Sequence, residues 1–309
     1  MDYKKLILIA GPTASGKSAL TVETARRENG VIINADAMQV YDGLPILSSQ
    51  PDGASLNSVP HKLYAVLDPS ERSSAGRWRA MAMRAIEKAI QQYRTPILVG
   101  GTGLYFRALL GGLADIPDIP ESVREQTRKL FDDLGEKKFR GELAQRDPES
   151  AARIARNDRQ RLMRAYEVVA HTGQVLSEWH KRHLASGIWH PVKKQFQIGT
   201  PESQLLKAEF HLLLPPRDKL YAACDQRFLR MIEEGAVHEV EQFLTRKLDP
   251  DLPAMKTLGL REIAAHLRGE ISLDEAIAKA QQATRNYAKR QYTWFRNQKI
   301  DAVKTADDL

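Results

Sequence analysis

Residues 6–18 read Leu6-Ile7-Leu8-Ile9-Ala10-Gly11-Pro12-Thr13-Ala14-Ser15-Gly16-Lys17-Ser18. Five apolar residues closed by Gly-Pro form the kind of short run that a buried parallel strand shows. The next eight fit G-x-x-x-x-G-K-[ST], and Ser18–Arg27 reads as a helix. A strand, a glycine-rich loop and a helix in that order make the context in which this pattern acts as a phosphate cradle. Chance alone gives about one such pattern per hundred chains of this length, so the context decides. In such a loop, successive backbone N–H groups converge on one point and the helix dipole adds positive potential there. Lys17 brings a full charge to the phosphate oxygens, and the Ser18 hydroxyl is placed to ligate Mg²⁺. The cradle identifies phosphates and nothing beyond them. Read alone, it favours ATP or GTP binding and a nucleotide kinase or NTPase.

Outward from the loop the alternation continues. Val31–Ile33 reads as a second strand ending at Asn34-Ala35-Asp36, and residues 42–73 as a long loop with at most short elements. Ser74–Tyr93 carries Trp78, Met81, Ala82, Ala85, Ile86, Ala89 and Ile90 on one helical face. Thr95-Pro96 breaks that helix, Ile97–Val99 is a third strand, and Gly100-Gly101-Thr102-Gly103 turns into a helix over Leu104–Leu110. The fold class expected is α/β: a phosphate-loop NTPase-like parallel sheet flanked by helices, with a helical insertion domain. Asp115–Pro120 leaves the pattern, and no strong strand follows before Phe210–Leu214. We therefore expect a core made of 1–115 and 206–309, with 116–205 inserted. The best helix of the insertion is Asp158–His171, with Leu162, Ala165, Tyr166 and Val169 inward and Gln160, Arg161 and Arg164 on a shared outward face. Pro215-Pro216 opens a helix from Arg217 to about Glu234, lined on one side by Leu220, Cys224, Phe228 and Met231. Ser272-Leu273-Asp274-Glu275 is a capping box for a last helix reaching about Asn297.

Composition bounds the function. The chain has 309 residues, 42% of them hydrophobic and 28% charged, with a net charge of +7. The basic excess is local. Residues 151–200 hold nine Lys/Arg against three Asp/Glu, and 281–300 hold five against none, whereas 115–150 are acidic, seven against ten. Such placement is the footprint of a polyanionic partner; solvated helix faces explain either segment taken singly. The single cysteine, Cys224, excludes an internal disulfide framework and a cysteine-built metal site. No apolar run is long enough to span a bilayer, and the start lacks a signal-peptide pattern. The expected setting is the reducing cytoplasm, away from membranes.

Other residues must choose among phosphate ligands. Asp36 directly follows a strand, at the sheet edge where open α/β sheets bind ligands. It can act as a base, as an outer partner of Mg²⁺, or simply as a turn cap. Thr102 stands at another strand end and Arg217 just after the Phe210–Leu214 strand, where each can reach a ligand or serve only a turn or a helix start. A small-metabolite or nucleoside kinase accounts for the loop, Asp36 and Mg²⁺ but leaves the insertion and the basic last helix unexplained. A non-catalytic RNA-binding module accounts for the charge but gives Lys17, Asp36 and Thr102 no shared purpose.

Taken together, the chain resembles the bacterial tRNA dimethylallyltransferases, also called tRNA isopentenyltransferases, through nearly its whole length. The resemblance is carried by Gly11–Ser18, Ile33–Asp36 with Met38–Tyr41, Val59–His61, Val99–Thr102 with Leu104–Phe106, Asn157-Asp158 with Gln160-Arg161, Pro216-Arg217, and Ala283–Arg285 with Lys289–Gln291 and Thr293-Trp294. It implies transfer of a dimethylallyl group from dimethylallyl diphosphate to N6 of the adenosine 3′ of the anticodon in tRNA. On that resemblance the loop Gly11, Pro12, Thr13, Ala14, Ser15, Gly16, Lys17 and Ser18 holds the donor's diphosphate, Mg²⁺ is the cofactor, Asp36 is the general base, and Arg217 lies near the diphosphate. Lys17 and Thr102 join the catalytic set. The anticodon stem-loop is then met by Asp36, Ala37, Met38, Gln39, Thr102 and Arg124, and by Gln160, Arg161, Leu162, Met163 and Arg164. No obligate protein partner is implied, and a monomer is compatible with this reading. The chain departs from the family pattern at Ala37, where serine is common, at Leu47–Pro51, where a lysine is absent, and at His61-Lys62.

Overall fold

Lys4–Ala10 is β1 in the computed structural model, which describes residues 4–185, 195–197 and 205–298. The strand is buried from Leu6 onward on both faces. Only helices packed on each side can cover such a run, and the following elements supply them: α1 (Lys17–Arg27), β2 (Gly30–Asn34), α2 (Gly53–Ser58), β3 (His61–Lys62), α3 (Ala75–Gln91), β4 (Thr95–Gly100) and α4 (Gly103–Gly111). Ser74 caps α3 by accepting from Arg77 N, and Trp78, Ala82, Ile86 and Ala89 are its buried stripe. Trp78 stacks on Tyr105 of α4, with centroids 4.2 Å apart and planes 9° from parallel.

The next stretch, Gly111–His190, forms a compact unit of its own. It contains α5 (Glu121–Arg146), α6 (Pro148–Arg153), α7 (Arg159–Thr172) and α8 (Leu176–Ala185). Gly135 breaks α5 with φ 69°, and Phe139, Leu143, Ala151, Leu162, Ala165 and Val169 make the unit's core. Asp158 lies just outside α7 and caps it, rather than being its first residue, and Gly173 ends the helix in the left-handed region. Residues 186–194 and 198–204, which include Lys193 and Lys194 of the basic segment and the end of the expected insertion, lie outside the described residues.

The chain then completes the first unit, Met1–Leu110 with Pro191–Leu309. Here lie β5 (Gln195–Gln197), β6 (Leu205–Leu212), α9 (Arg217–Glu233), α10 (Ala236–Leu244), a 3₁₀ turn (Pro253–Lys256), α11 (Leu260–Leu267) and α12 (Leu273–Arg296). The strand order is β3-β2-β4-β1-β6-β5. The first five are parallel, and β5 runs antiparallel at the edge. Two expectations are corrected. β6 spans 205–212 rather than 210–214, because Lys207, Glu209 and His211 alternate with buried Leu206, Phe210 and Leu212 and so break the apolar run that marks a central strand. The polar members are paired, with Lys5 to Glu209 at 3.0 Å and His211 to Glu209 at 2.7 Å. β5 gives no sequence signal, since a three-residue edge strand is fixed by pairing alone. Because β1, β2 and β4 run parallel, the loops that follow them open at one edge of the sheet, where ligands enter such folds.

Candidate active site

The loop after β1 is shaped first by its own backbone. Gly16 caps α1 with φ 85°, a conformation side chains resist. It turns the chain so that α1 begins at Lys17 with its N–H groups facing the cleft. Lys17 Nζ folds back onto Pro12 O at 2.5 Å and Ser15 Oγ at 3.5 Å. Burial lowers its pKa to about 8, Asp36 opposes the shift, and Arg227 reinforces it. Thr13 is gripped from two sides. Its N–H donates to Gln291 Oε1 at 2.8 Å, and its hydroxyl accepts from Arg227 at 2.5 Å.

Asp36 is held by the strand end before it. Asn34 is fully buried, accepts from Asp36 N at 2.8 Å, and donates to Asp36 O and Leu63 O, each at 3.0 Å. Trp78 Nε1 donates to Asn34 O at 2.9 Å, which ties this turn to α3. Asp36 Oδ1 accepts from Met38 N at 2.9 Å, so the half-buried carboxylate is oriented rather than free to swing. The β4 turn locks onto the same segment: Thr102 N donates to Ala35 O at 3.3 Å and Ala37 N donates to Thr102 Oγ1 at 3.0 Å. Tyr287 joins Thr102 through a side-chain hydrogen bond; burial and the Asp36 charge push its hydroxyl well above its ordinary pKa, with the Thr102 bond opposing. Tyr64 is raised for the same two causes, burial first.

A cleft of about 730 Å³ opens here, lined among others by Ser15, Lys17, Asp36, Gln39, Tyr64 and Arg227, with Thr102, Tyr287 and Gln291 outside its lining. Its far wall is the loop 45–52. Gln39 Nε2 donates to Ser48 O and Ser49 O at 3.0 and 2.7 Å, and the Glu239 carboxylate accepts from Ile46 N and Leu47 N at 2.7 and 2.8 Å. Gln50, which stands where the family pattern has lysine, donates to Tyr41 O at 2.8 Å, and His61 Nδ1 lies 2.9 Å from Val59 O.

The expected site residues therefore divide. Gly11–Ser18, Asp36, Ala37, Gln39 and Thr102 converge around one sheet edge. Met38 instead packs on the core and receives Thr257 Oγ1 at its sulfur, 3.7 Å away. Arg217 stands exposed at the start of α9, its guanidinium 5.2 Å from the Tyr292 ring centre and outside the cleft lining. The guanidinium that reaches the loop belongs to Arg227, ten residues further along α9. Sequence reading passed over Arg227 because it flanks the apolar stripe Leu220-Cys224-Phe228-Met231; its spacing of three from Cys224 and four from Met231 was the signal available. In the sequence Gln291 stands out only within the Lys289–Gln291 stretch of the family pattern.

In the second unit, Leu162 is fully buried in the helical core, so its side chain is withdrawn from any partner. Met163 packs beside it. Gln160 and Arg161 are exposed, Arg164 is half-buried with Glu167 at 3.6 Å, and Arg124 reaches Glu121 at 3.7 Å. On α12, Phe295 is core, and Trp294 packs against it edge-on. Among the described residues no group of three His, Cys, Asp or Glu is arranged to hold a metal, and no helix is long and apolar enough to cross a membrane.

Known proteins now give this geometry its family. Residues 39–298 match the family described as IPP transferase, and 4–72 match isopentenyl transferase. The chain belongs to the IPP transferase family. The tRNA dimethylallyltransferase of Rhodospirillum centenum is 49% identical over 304 residues, covering 98% of this chain and 92% of the relative. That of a Caulobacter species is 48% identical, covering 97% and 92%. The solved tRNA isopentenylpyrophosphate transferase of Bacillus halodurans superposes with a TM-score of 0.66 at 31% identity, over 98% of this chain and 90% of that one. A eukaryotic dimethylallyltransferase solved acting on tRNA gives 0.72 at 29% identity, over 94% and 70%. The fold is thus the phosphate-loop NTPase-like architecture of these transferases.

Proposed function

We propose that this protein transfers a dimethylallyl group from dimethylallyl diphosphate to N6 of the adenosine just 3′ of the anticodon in tRNA, releasing diphosphate. One observation carries the reading: an oriented carboxylate, Asp36, shares a cleft with a phosphate loop backed by two cations, Lys17 and Arg227. In the step proposed, the donor's C1–O bond breaks and diphosphate leaves with the bonding pair. The N6–C1 bond forms, and the N6 proton passes to Asp36. The loop amides, Lys17 and Arg227 take up the charge that develops on the leaving group. The target adenine must leave its stack to reach the cleft, and an anticodon loop offers splayed bases.

A divalent cation suits this residue set. Ser18 is exposed on the first turn of α1, and no all-protein cage is built among the described residues, which matches an ion held chiefly by substrate phosphates. Ser18 would hold Mg²⁺, which neutralises diphosphate charge when bound. The proposed setting is the cytoplasm, and the helical unit is proposed to grip the anticodon arm through Gln160, Arg161 and Arg164. The kinase alternative finds no support in the relatives described above, which are named tRNA dimethylallyltransferases.

Mass spectrometry of tRNA nucleosides after incubation with dimethylallyl diphosphate and Mg²⁺ tests the reading. A prenylated adenosine is expected; ADP released from ATP with unmodified tRNA would overturn it. Affinity for tRNA should fall by at least ~10²-fold between about 50 and 200 mM salt, because basic side chains displace condensed counterions. Fluorescence titration at stepped salt checks this, and a flat response would remove the phosphate contacts.

Lys17 adds a pH signature. Its ammonium is largely lost in the free protein as pH rises past about 8, yet a bound anion needs the charged form. Binding of inorganic diphosphate should therefore take up about one proton above pH 8, and affinity should weaken by up to ~10-fold per pH unit there. Calorimetry in buffers of different ionisation enthalpy reads the uptake directly.

A further inference from the structure

The side chain of Gln291 joins two loops that come from distant parts of the chain. Its Oε1 accepts from Thr13 N at 2.8 Å in the loop after β1, and its Nε2 donates to Gly101 O at 2.9 Å in the turn after β4. It is only 6% exposed, and its bond to Gly101 O is buried, so that carbonyl depends on the carboxamide for its partner. The fit is close: a Cβ at residue 101 would displace Gln291 Nε2 from its place on the Gly101 carbonyl. A carboxamide carries one acceptor and one donor on a single rigid plane. It meets an N–H on one side and a carbonyl on the other whatever the pH, which an ionisable side chain of that size does not.

The two loops have different tasks. The first holds the proposed leaving group. The second carries Thr102, whose hydroxyl receives Ala37 N beside Asp36. We propose, resting on the prenyl-transfer reading, that Gln291 is the positioning residue that fixes the donor loop relative to the acceptor side. It sets the spacing between the carbon that departs from diphosphate and the carboxylate that takes the N6 proton. One turn earlier on α12, Tyr287 shares a side-chain hydrogen bond with Thr102, and from α9 Arg227 holds the Thr13 hydroxyl. Helix α12 is thereby the ruler between the two half-sites. The Thr13 N–H is already paired with Gln291 and is not among the loop amides left for the diphosphate.

Misplacement of reacting groups by about 1 Å can cost ~10²-fold in rate while leaving binding groups in place. Gln291→Glu keeps the acceptor for Thr13 and loses the proton for Gly101 O at unchanged size; Gln291→Leu loses both. The experiment measures kcat and the KM values for dimethylallyl diphosphate and for tRNA, with tRNA affinity and melting temperature as folding checks. For Gln291→Glu we expect kcat lower by at least ~30-fold, with both KM values and tRNA affinity within ~5-fold of the unsubstituted protein. Lys17→Ala, by contrast, should raise the donor KM. A folded Gln291→Glu protein with kcat within ~3-fold overturns the proposal, as does a loss confined to donor KM. If Gln291→Leu does not fold, Gln291→Glu decides alone. Absence of prenyl transfer by the unsubstituted protein would instead refute the reaction assigned above.

Discussion

Asp36→Asn should lower the rate of prenyl transfer by ~10²–10⁴-fold, the usual contribution of a positioned base, while tRNA affinity stays within ~3-fold. Asparagine is the informative replacement. Asp36 Oδ1 accepts from Met38 N and its backbone is clasped by Asn34, and an amide oxygen can keep that turn. The Ala37 link to Thr102 and the Trp78 link to Asn34 are also preserved. What disappears is the capacity to accept the N6 proton. Asp36→Ala removes the turn bond as well, at a further cost of about 0.5–1.5 kcal/mol in local stability. Single-turnover transfer assays beside tRNA binding separate these effects. Near-normal turnover by Asp36→Asn would refute the base assignment and leave the carboxylate a structural turn.

Arg227→Ala should reduce kcat/KM for the donor by ~10²–10³-fold, comparable with Lys17→Ala, since one preorganised donor to a developing anion is worth about 3–4 kcal/mol. Arg217→Ala should change it by less than ~3-fold. The contrast rests on placement. Arg227 is drawn into the cleft, bonded to Thr13 and flanked by Asp36, which helps keep the guanidinium charged against the pull of burial. Arg217 lies on the surface over Tyr292, where water screens its charge. Steady-state kinetics with varied dimethylallyl diphosphate measures both. A strong Arg217 phenotype with a mild Arg227 one would return the role to the residue that the sequence pattern suggested.

The two arginines show where sequence reading stops. Both lie on α9, and the Pro215-Pro216 opening marks Arg217 as the first residue of a helix following a strand, a position that favours ligand contact in principle. Arg227 shows only as a charge beside an apolar stripe. Which of them reaches the loop depends on how α9 is rotated against α12, and that rotation is set by Leu220, Cys224 and Ala288 packing together. Leu162 is a similar case. It belongs to a stretch that the family pattern assigns to tRNA, yet its position on the inward face of α7 already marks it as core. The cleft wall is the least legible part. Glu239 and loop 45–52 are far apart in the chain and share no motif, and their bonds exist only because α10 packs beside that loop.

From its sequence alone, this protein fixed what contiguous residues can fix: the strand–loop–helix of 6–27, the amphipathic α3, the cap at Ser272, and Asp36 at a strand end. These follow from local periodicity and, at Ser272, from a capping box legible in the sequence; that Ser74 and Asp158 also act as caps is shown by the structure. Only the tertiary structure decided that Thr13, Gly101, Arg227 and Gln291 meet, that β6 begins at Leu205, and that Arg217 faces outward. Those outcomes come from which buried polar groups must find partners across the sheet edge, and such pairings span up to 278 residues, beyond the reach of any local pattern.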